Sequence, residues 1–157
     1  FPTRRSSDLS KLYMIDRLGR FVGGFPVDLG KKIAVGPEVY DFSGDGEKVA
    51  MVLHKDNTVG LYDLHGKKAV SWKGITANET IKSLPELLEG KSKKYWVVRT
   101  SGQTLVFPFD GGDPLVKGEG KKMIRPDSRI TINEKGSVVA KCYDGKDRTF
   151  KLDNEKR

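Results

Sequence analysis

Two stretches decide how this chain is read: LYMIDRLGRFVGGF (12–25) and GLYDLHGKKAVSW (60–72). In each, a short run of alternating apolar residues ends at an aspartate, Asp16 or Asp63. A glycine follows three residues later, Gly19 or Gly66, and then a base, Arg20 or Lys67. Nine residues after each aspartate stands a large aromatic, Phe25 or Trp72. A third copy, LVFPFDGG (105–112), ends its run at Asp110, and a fourth, TFKLDNEK (149–156), at Asp153. Asp16, Asp63, Asp110 and Asp153 stand 47, 47 and 43 residues apart.

The stretches between these copies also correspond. Pro37-Glu38-Val39 precedes DFSGDGEK and the strand-like VAMVLH (49–54), and Pro85-Glu86-Leu87 precedes LEGKSKK and YWVVRT (95–100). In the next copy SRITINEKGS leads into VVAKCYD (138–144). Each period reads strand, turn, strand, turn, strand, Asp-x-x-Gly turn, strand, with Gly, Asp, Asn and Ser marking the turns. Aspartate at a turn accepts hydrogen bonds from N–H groups two residues on, and glycine supplies positive φ without steric cost. Asp56-Asn57 marks a tight hairpin. Four antiparallel strands repeated every 40–50 residues are the blade pattern of a β-propeller.

The expected fold is therefore all-β: a partial β-propeller of about three four-stranded antiparallel blades with a period of 43–47 residues. The aromatic position at Phe25 and Trp72 suits packing between blades. In the third copy that position is Glu119 and the turn is one residue shorter, so its outer strand is the weakest expectation. The segment TIKSLPELLEG (80–90) carries Pro85 in its middle, which argues against a helix and for a loop or single turn into the next blade.

Composition bounds the rest. The 157 residues carry 29 Lys plus Arg against 21 Asp plus Glu, a net charge of +8. A hydrophobic fraction of 36% excludes a disordered chain, and no apolar run approaches the ~20 residues a membrane helix needs. The single cysteine, Cys142, excludes an internal disulfide and a cysteine-based zinc cluster. Residues 1–9, FPTRRSSDL, resemble a translated sequencing-adapter remnant and are expected to be a non-native leader, the alternative being a disordered basic terminus. Residues 10–157 are expected to be incomplete propeller repeats, either a slice of a longer chain or an arc that closes by self-association.

The phrases DRxGR…GFPV (16–27) and YDLxGK…W (62–72), with VYDFSGDGEKVAMVLHKDNTV (39–59) between them, resemble the C-terminal propeller of an uncharacterised family of membrane-anchored bacterial cell-envelope proteins. More loosely the repeats are similar to quinoprotein-like and WD40-like propellers. They lack the Gly-His and Trp-Asp pairs of WD40 blades and the cofactor residues of quinoprotein enzymes. The resemblance implies a fold and an extracytoplasmic address, not a reaction.

Candidate chemistry is sparse. Asp41, Ser43, Asp45 and Gly46 match the start of a calcium loop, but the position of its late bidentate carboxylate is Val52. The reading preferred is a hairpin turn, with calcium at Asp41 and Asp45 left open and no metal, cofactor or catalytic residue assigned. His54 ends a strand and His65 sits in an Asp-x-x-Gly turn, with no nucleophile or carboxylate placed beside either by sequence. Cys142 reads as a small buried apolar residue. The paired bases Lys31-Lys32, Lys67-Lys68, Lys93-Lys94 and Lys121-Lys122 fall at turns with acids interleaved, so solvated turns are preferred to a nucleic-acid stripe.

The expected function is a non-catalytic binding or scaffold module whose partner is a protein or envelope polymer, or further blades. An enzyme completed by other blades and a basic polyanion-binding surface are the alternatives.

Overall fold

The computed structural model describes residues 10–13, 17–20, 26–41, 48–63, 67–68, 71–90 and 93–152. The chain divides into two compact units, 1–76 and 77–157. In the first, β1 (Lys11–Leu12) pairs antiparallel with β2 (Val27–Asp28). A four-stranded antiparallel sheet follows: β3 (Ile33–Tyr40), β4 (Val49–His54), β5 (Thr58–Tyr62) and β6 (Ile75–Thr76), side by side in chain order.

The second unit repeats the plan. Its first sheet is β7 (Glu86–Glu89), β8 (Lys94–Arg99), β9 (Gln103–Pro108) and β10 (Val116–Glu119), again in chain order. Its second sheet has three strands among the described residues, β11 (Thr131–Ile132), β12 (Ser137–Lys141) and β13 (Asp147–Lys151). The only helical piece described is a single 3₁₀ turn, Gly120–Lys122. The fold is all-β and built from four-stranded meanders of the blade type.

Proline explains an irregularity common to the three larger sheets. Ile33 pairs with His54 and Val35 with Leu53 across a first register shift, and a second shift across Gly36-Pro37 sets Glu38 opposite Met51. In the second sheet Ile81 bridges Thr100, and β7 starts only after Pro85. In the third, Ile124 bridges Cys142 before Pro126, and β11 starts at Thr131. Proline offers no N–H to the ladder, so pairing shifts register or starts anew around it. Ile33, Ile81 and Ile124 are all buried, which anchors the short piece ahead of each break.

One expectation changes and another is met. The loop or single turn expected over 80–90 is a strand in its second half: β7 follows Pro85 with Leu88 buried between exposed Glu86 and Glu89. Proline is tolerated as the residue entering a strand, so it ended the loop rather than prolonging it. The outer strand of the third copy also forms, with β10 running from Val116 to Glu119 against β9. Leu115 N–H donates to the Val106 carbonyl at 2.7 Å to close the shorter turn, and Glu119 accepts from the Gln103 side-chain amide.

Each unit has its own core. In the first, Leu12, Ile33, Ala50 and Val52 cluster, with Val27, Leu29, Val39 and Tyr62 packed against them. In the second, Leu88, Val97, Val106 and Val116 of one sheet meet Val138 of the other and Leu152 just past it. The interior strands β8 and β9 are buried on both faces and read as continuous apolar runs. β13, DRTFK, alternates exposed and half-buried positions because one of its faces is wet.

Candidate functional site

The sequence offers two reactive side chains among the described residues, His54 and Cys142, and the fold gives them one and the same position. Each stands at the end of the second strand or one residue past it and pairs with the leading isoleucine, opposite Ile33 and Ile124. Thr100 is the third member, opposite Ile81. All three side chains are buried and each spends its polar atoms locally. The Cys142 thiol donates to the Lys122 carbonyl at 3.3 Å. The Thr100 hydroxyl bonds the Glu79 carboxylate at 2.9 Å and the Gln103 carbonyl at 3.2 Å.

His54 is the most constrained. Its Nδ1 lies 3.3 Å from the Lys32 carbonyl, which can only accept, so Nδ1 carries the proton. Nε2 then accepts the Tyr62 hydroxyl at 2.8 Å. Burial lowers the imidazole's pKa below 6.5 and raises that of the Tyr62 phenol. Burial likewise raises the Cys142 thiol. Each of these groups spends its polar atoms on local partners, which locks its hairpin. His65 and Asp45 lie outside the described residues, and Asp41 is exposed at the end of β3. Among the described residues no cluster of three or more His, Cys, Asp or Glu side chains could hold a metal ion.

Of the four repeated aspartates, Asp63 is seen holding its turn through its carboxylate. Asp63 stands between β5 and β6, and its carboxylate accepts the N–H of Lys67, four residues on rather than two. Its own N–H donates to the Lys67 carbonyl at 2.8 Å, so it closes a wider loop than sequence implied. Asp110 stands between β9 and β10, followed by Gly111 and Gly112 with φ of 87° and 98°. Asp56 holds the N–H of Thr58 beside Asn57, whose φ is 73°. Asp16 and Asp153 lie outside the described residues, as does Phe25. Trp72, at Phe25's repeat position, is buried and donates its indole N–H to the Val59 carbonyl at 3.0 Å.

A groove of about 440 Å³ opens in the second unit where the turn ends of its two sheets meet. Lys93 and Lys94 at the start of β8, Phe109 and Asp110 after β9, and Leu152 after β13 line it, with Tyr95. Phe109 lies parallel to the fully buried Trp96, with ring centroids 5.9 Å apart. Trp96 Nε1 donates to the Phe109 carbonyl at 2.9 Å, so both the ring and the backbone of Phe109 are fixed. The Lys94 ammonium sits 5.8 Å from the Phe109 centroid, a cation over an aromatic face. The groove thus combines an apolar wall with two cations and a carboxylate, Asp110 falling opposite Lys93 when the β8–β9 register is continued.

Sequence reasoning did not find this groove. Its signals were the Lys93-Lys94 pair read as turn decoration and the aromatic immediately ahead of Asp110. The other paired bases are spent differently: Lys31 meets Asp56 at 3.2 Å, and Lys121 and Lys122 lie in the 3₁₀ turn. Arg125 and Arg148 are held by Asp127 and Asp144.

No protein-family model matches the chain, and no curated protein sequence matches it. Among solved structures it is similar to BamB from Moraxella catarrhalis, with 11% identity and a TM-score of 0.48. That match covers 96% of this chain and 45% of the other, so the chain spans less than half the length of the protein it matches. No helix among the described residues is long and apolar enough to cross a membrane.

Proposed function

We propose that this protein is a non-catalytic binding module of a bacterial cell envelope that recognises an extended segment of a partner polypeptide. The observation that carries this reading is the groove between Lys93, Lys94, Phe109 and Leu152. A rigid aromatic wall under a cationic rim suits an apolar side chain flanked by acidic residues, since the apolar group leaves water while the carboxylates meet the lysines. The envelope address rests on the resemblance of residues 12–152. The local bonding of His54 and Cys142 supports binding over catalysis.

Trp96 reports occupancy because Phe109 stacks on it. In a Trp72→Phe background, the emission is titrated with a decapeptide bearing one Phe among Glu residues, and with the same peptide carrying Lys in place of Glu. The acidic peptide is expected to shift the emission saturably, the basic one not. Phe109→Ala and Lys93→Glu/Lys94→Glu are expected to remove the response. No saturable response to the acidic peptide overturns the reading. Retention on heparin that Lys93→Glu/Lys94→Glu abolishes, without peptide binding, replaces it with a polyanion site.

A further inference from the structure

Arg99, the last residue of β8, ties its own sheet to the next. Its Nη1 donates to the Ile124 carbonyl at 3.0 Å, and the Ile124 N–H donates to the Thr104 hydroxyl at 3.1 Å. Together the two bonds fix Ile124 against the β8–β9 hairpin and hold one nitrogen of the guanidinium in place. Nη2 stands 3.6 Å from a Glu86 carboxylate oxygen, outside hydrogen-bond distance. The Glu86 side chain is 55% exposed, so water competes for it, whereas that of Arg99 is 17% exposed. Among the described residues the guanidinium forms no other bond.

The backbone beside Ile124 leaves space next to this arginine. Ile124 bridges Cys142 and the Arg125 N–H donates to the Lys141 carbonyl, but strand pairing with β12 resumes only at Thr131. Where the chain leaves the ladder at Pro126, a cleft of about 210 Å³ lies between the two sheets. Arg99 and Lys82 bring two cations to it, Ser101 and Tyr143 bring hydroxyls, and Met123 and Pro126 bring apolar surface. None of the described residues that line it is acidic.

We propose that this cleft binds a small organic carboxylate, its oxygens on Arg99 and Lys82 and its apolar part against Met123 and Pro126. A guanidinium already held by one nitrogen is pre-organised, and its remaining donors match the geometry of a carboxylate. A monoanion suits the place better than a phosphate dianion, because two carboxylates stand just outside it: Glu86 beside Arg99, and Glu79 on the Thr100 hydroxyl at 2.9 Å. Arg99 ends β8 and Lys94 begins it, so the cleft is separate from the groove at Phe109 and independent of any ligand there.

Isothermal titration of the full chain with benzoate tests this, with benzamide as the uncharged counterpart and inorganic phosphate as the dianion. Benzoate is expected to bind saturably, phosphate more weakly and benzamide not at all. Arg99→Gln is expected to abolish binding, and Lys82→Gln to weaken it roughly tenfold by removing a charge-assisted bond. Glu86→Gln removes the competing carboxylate and is expected to tighten binding about threefold, which a purely structural role for Arg99 would not produce. Circular dichroism checks that each variant folds, and if Arg99→Gln does not, Lys82→Gln and Glu86→Gln decide. No saturable heat with benzoate, equal binding of benzamide, tighter binding of phosphate, or indifference to Lys82→Gln and Glu86→Gln each overturns the proposal. Loss of benzoate binding in Lys93→Glu/Lys94→Glu, with Lys82→Gln unaffected, assigns the ligand to the groove and overturns it as well.

Discussion

The imidazole Nε2 of His54 and the hydroxyl of Tyr62 stand 2.8 Å apart across the β4–β5 hairpin, their rings nearly perpendicular at 89°. The Tyr62 ring lies over Gly60, where an added Cβ would come within 2.6 Å of it. Gly60 thus makes room for the tyrosine, and the tyrosine satisfies the buried histidine.

That arrangement carries a pH dependence with a definite sign. The His54 pKa is lowered in the folded state, chiefly by burial. The unfolded chain therefore binds a proton that the folded one resists. The contribution is fully present above about pH 6.5 and is lost as pH falls from there toward the folded value. The thermal midpoint is expected to fall as pH drops from 7 toward 5 by more than in His54→Gln, measured by circular dichroism. Equal slopes in the two proteins would remove His54 from the cause.

Tyr62→Phe keeps the ring over Gly60 and deletes only the hydroxyl. His54 Nε2 then loses its donor in a buried site, at an expected cost of about 1–3 kcal/mol in urea unfolding. His54→Gln/Tyr62→Phe is expected to lose less than the sum of the single changes, because the two groups serve one bond.

Glycines at Gly102 and Gly118 are predicted to differ in what replacement costs. A Cβ at Gly102 would stand 2.9 Å from the Glu79 carboxylate oxygens, the far end of a flexible side chain. At Gly118 it would stand 2.5 Å from the Lys122 backbone carbonyl, which cannot swing aside. Gly118→Ala is expected to destabilise by more than about 2 kcal/mol and Gly102→Ala by about 1 kcal/mol. In a Glu79→Ala background the cost of Gly102→Ala is expected to shrink, since the displaced carboxylate no longer holds Thr100 and the Gly102 N–H.

Trp72 is 5% exposed and bonded to Val59. Trp72→Ala is expected to cost about 3–5 kcal/mol, read from the urea midpoint. An unchanged midpoint would show that this indole carries no part of the core.

Cys142 has no exposed surface and a thiol pKa raised by burial. A thiol of that kind resists disulfide reagents. Ellman's reagent is expected to react at the rate of unfolding in native buffer and at once in denaturant. Rapid reaction in the native protein would contradict the placement of Cys142 opposite Ile124.

The hairpins were legible because they are local. Asn57 and the Asp56 carboxylate make their turn from neighbouring residues, so a dipeptide announces it. The runs VAMV and WVV mark interior strands because both faces are apolar. Pro85 misled in the opposite way: a proline denies a helix, and only the pairing of Glu86 with Val97 shows a strand beginning beside it. Asp63 was recognised as a turn residue, but its reach to Lys67 depends on a loop closed by the Tyr62–Lys68 bridge.

The all-β class and the Asp56-Asn57 hairpin could be read from the sequence, since each follows from patterns spanning a few residues. Only the tertiary structure decided that His54, Thr100 and Cys142 occupy one position, because chemically unlike residues share it and what unites them is a partner isoleucine some twenty residues earlier. The groove at Phe109 belongs to the same class: its walls come from β8, β9 and the end of β13, and packing between two sheets brings them together. Contacts between residues so distant in the chain depend on how whole sheets meet, and no local pattern encodes that.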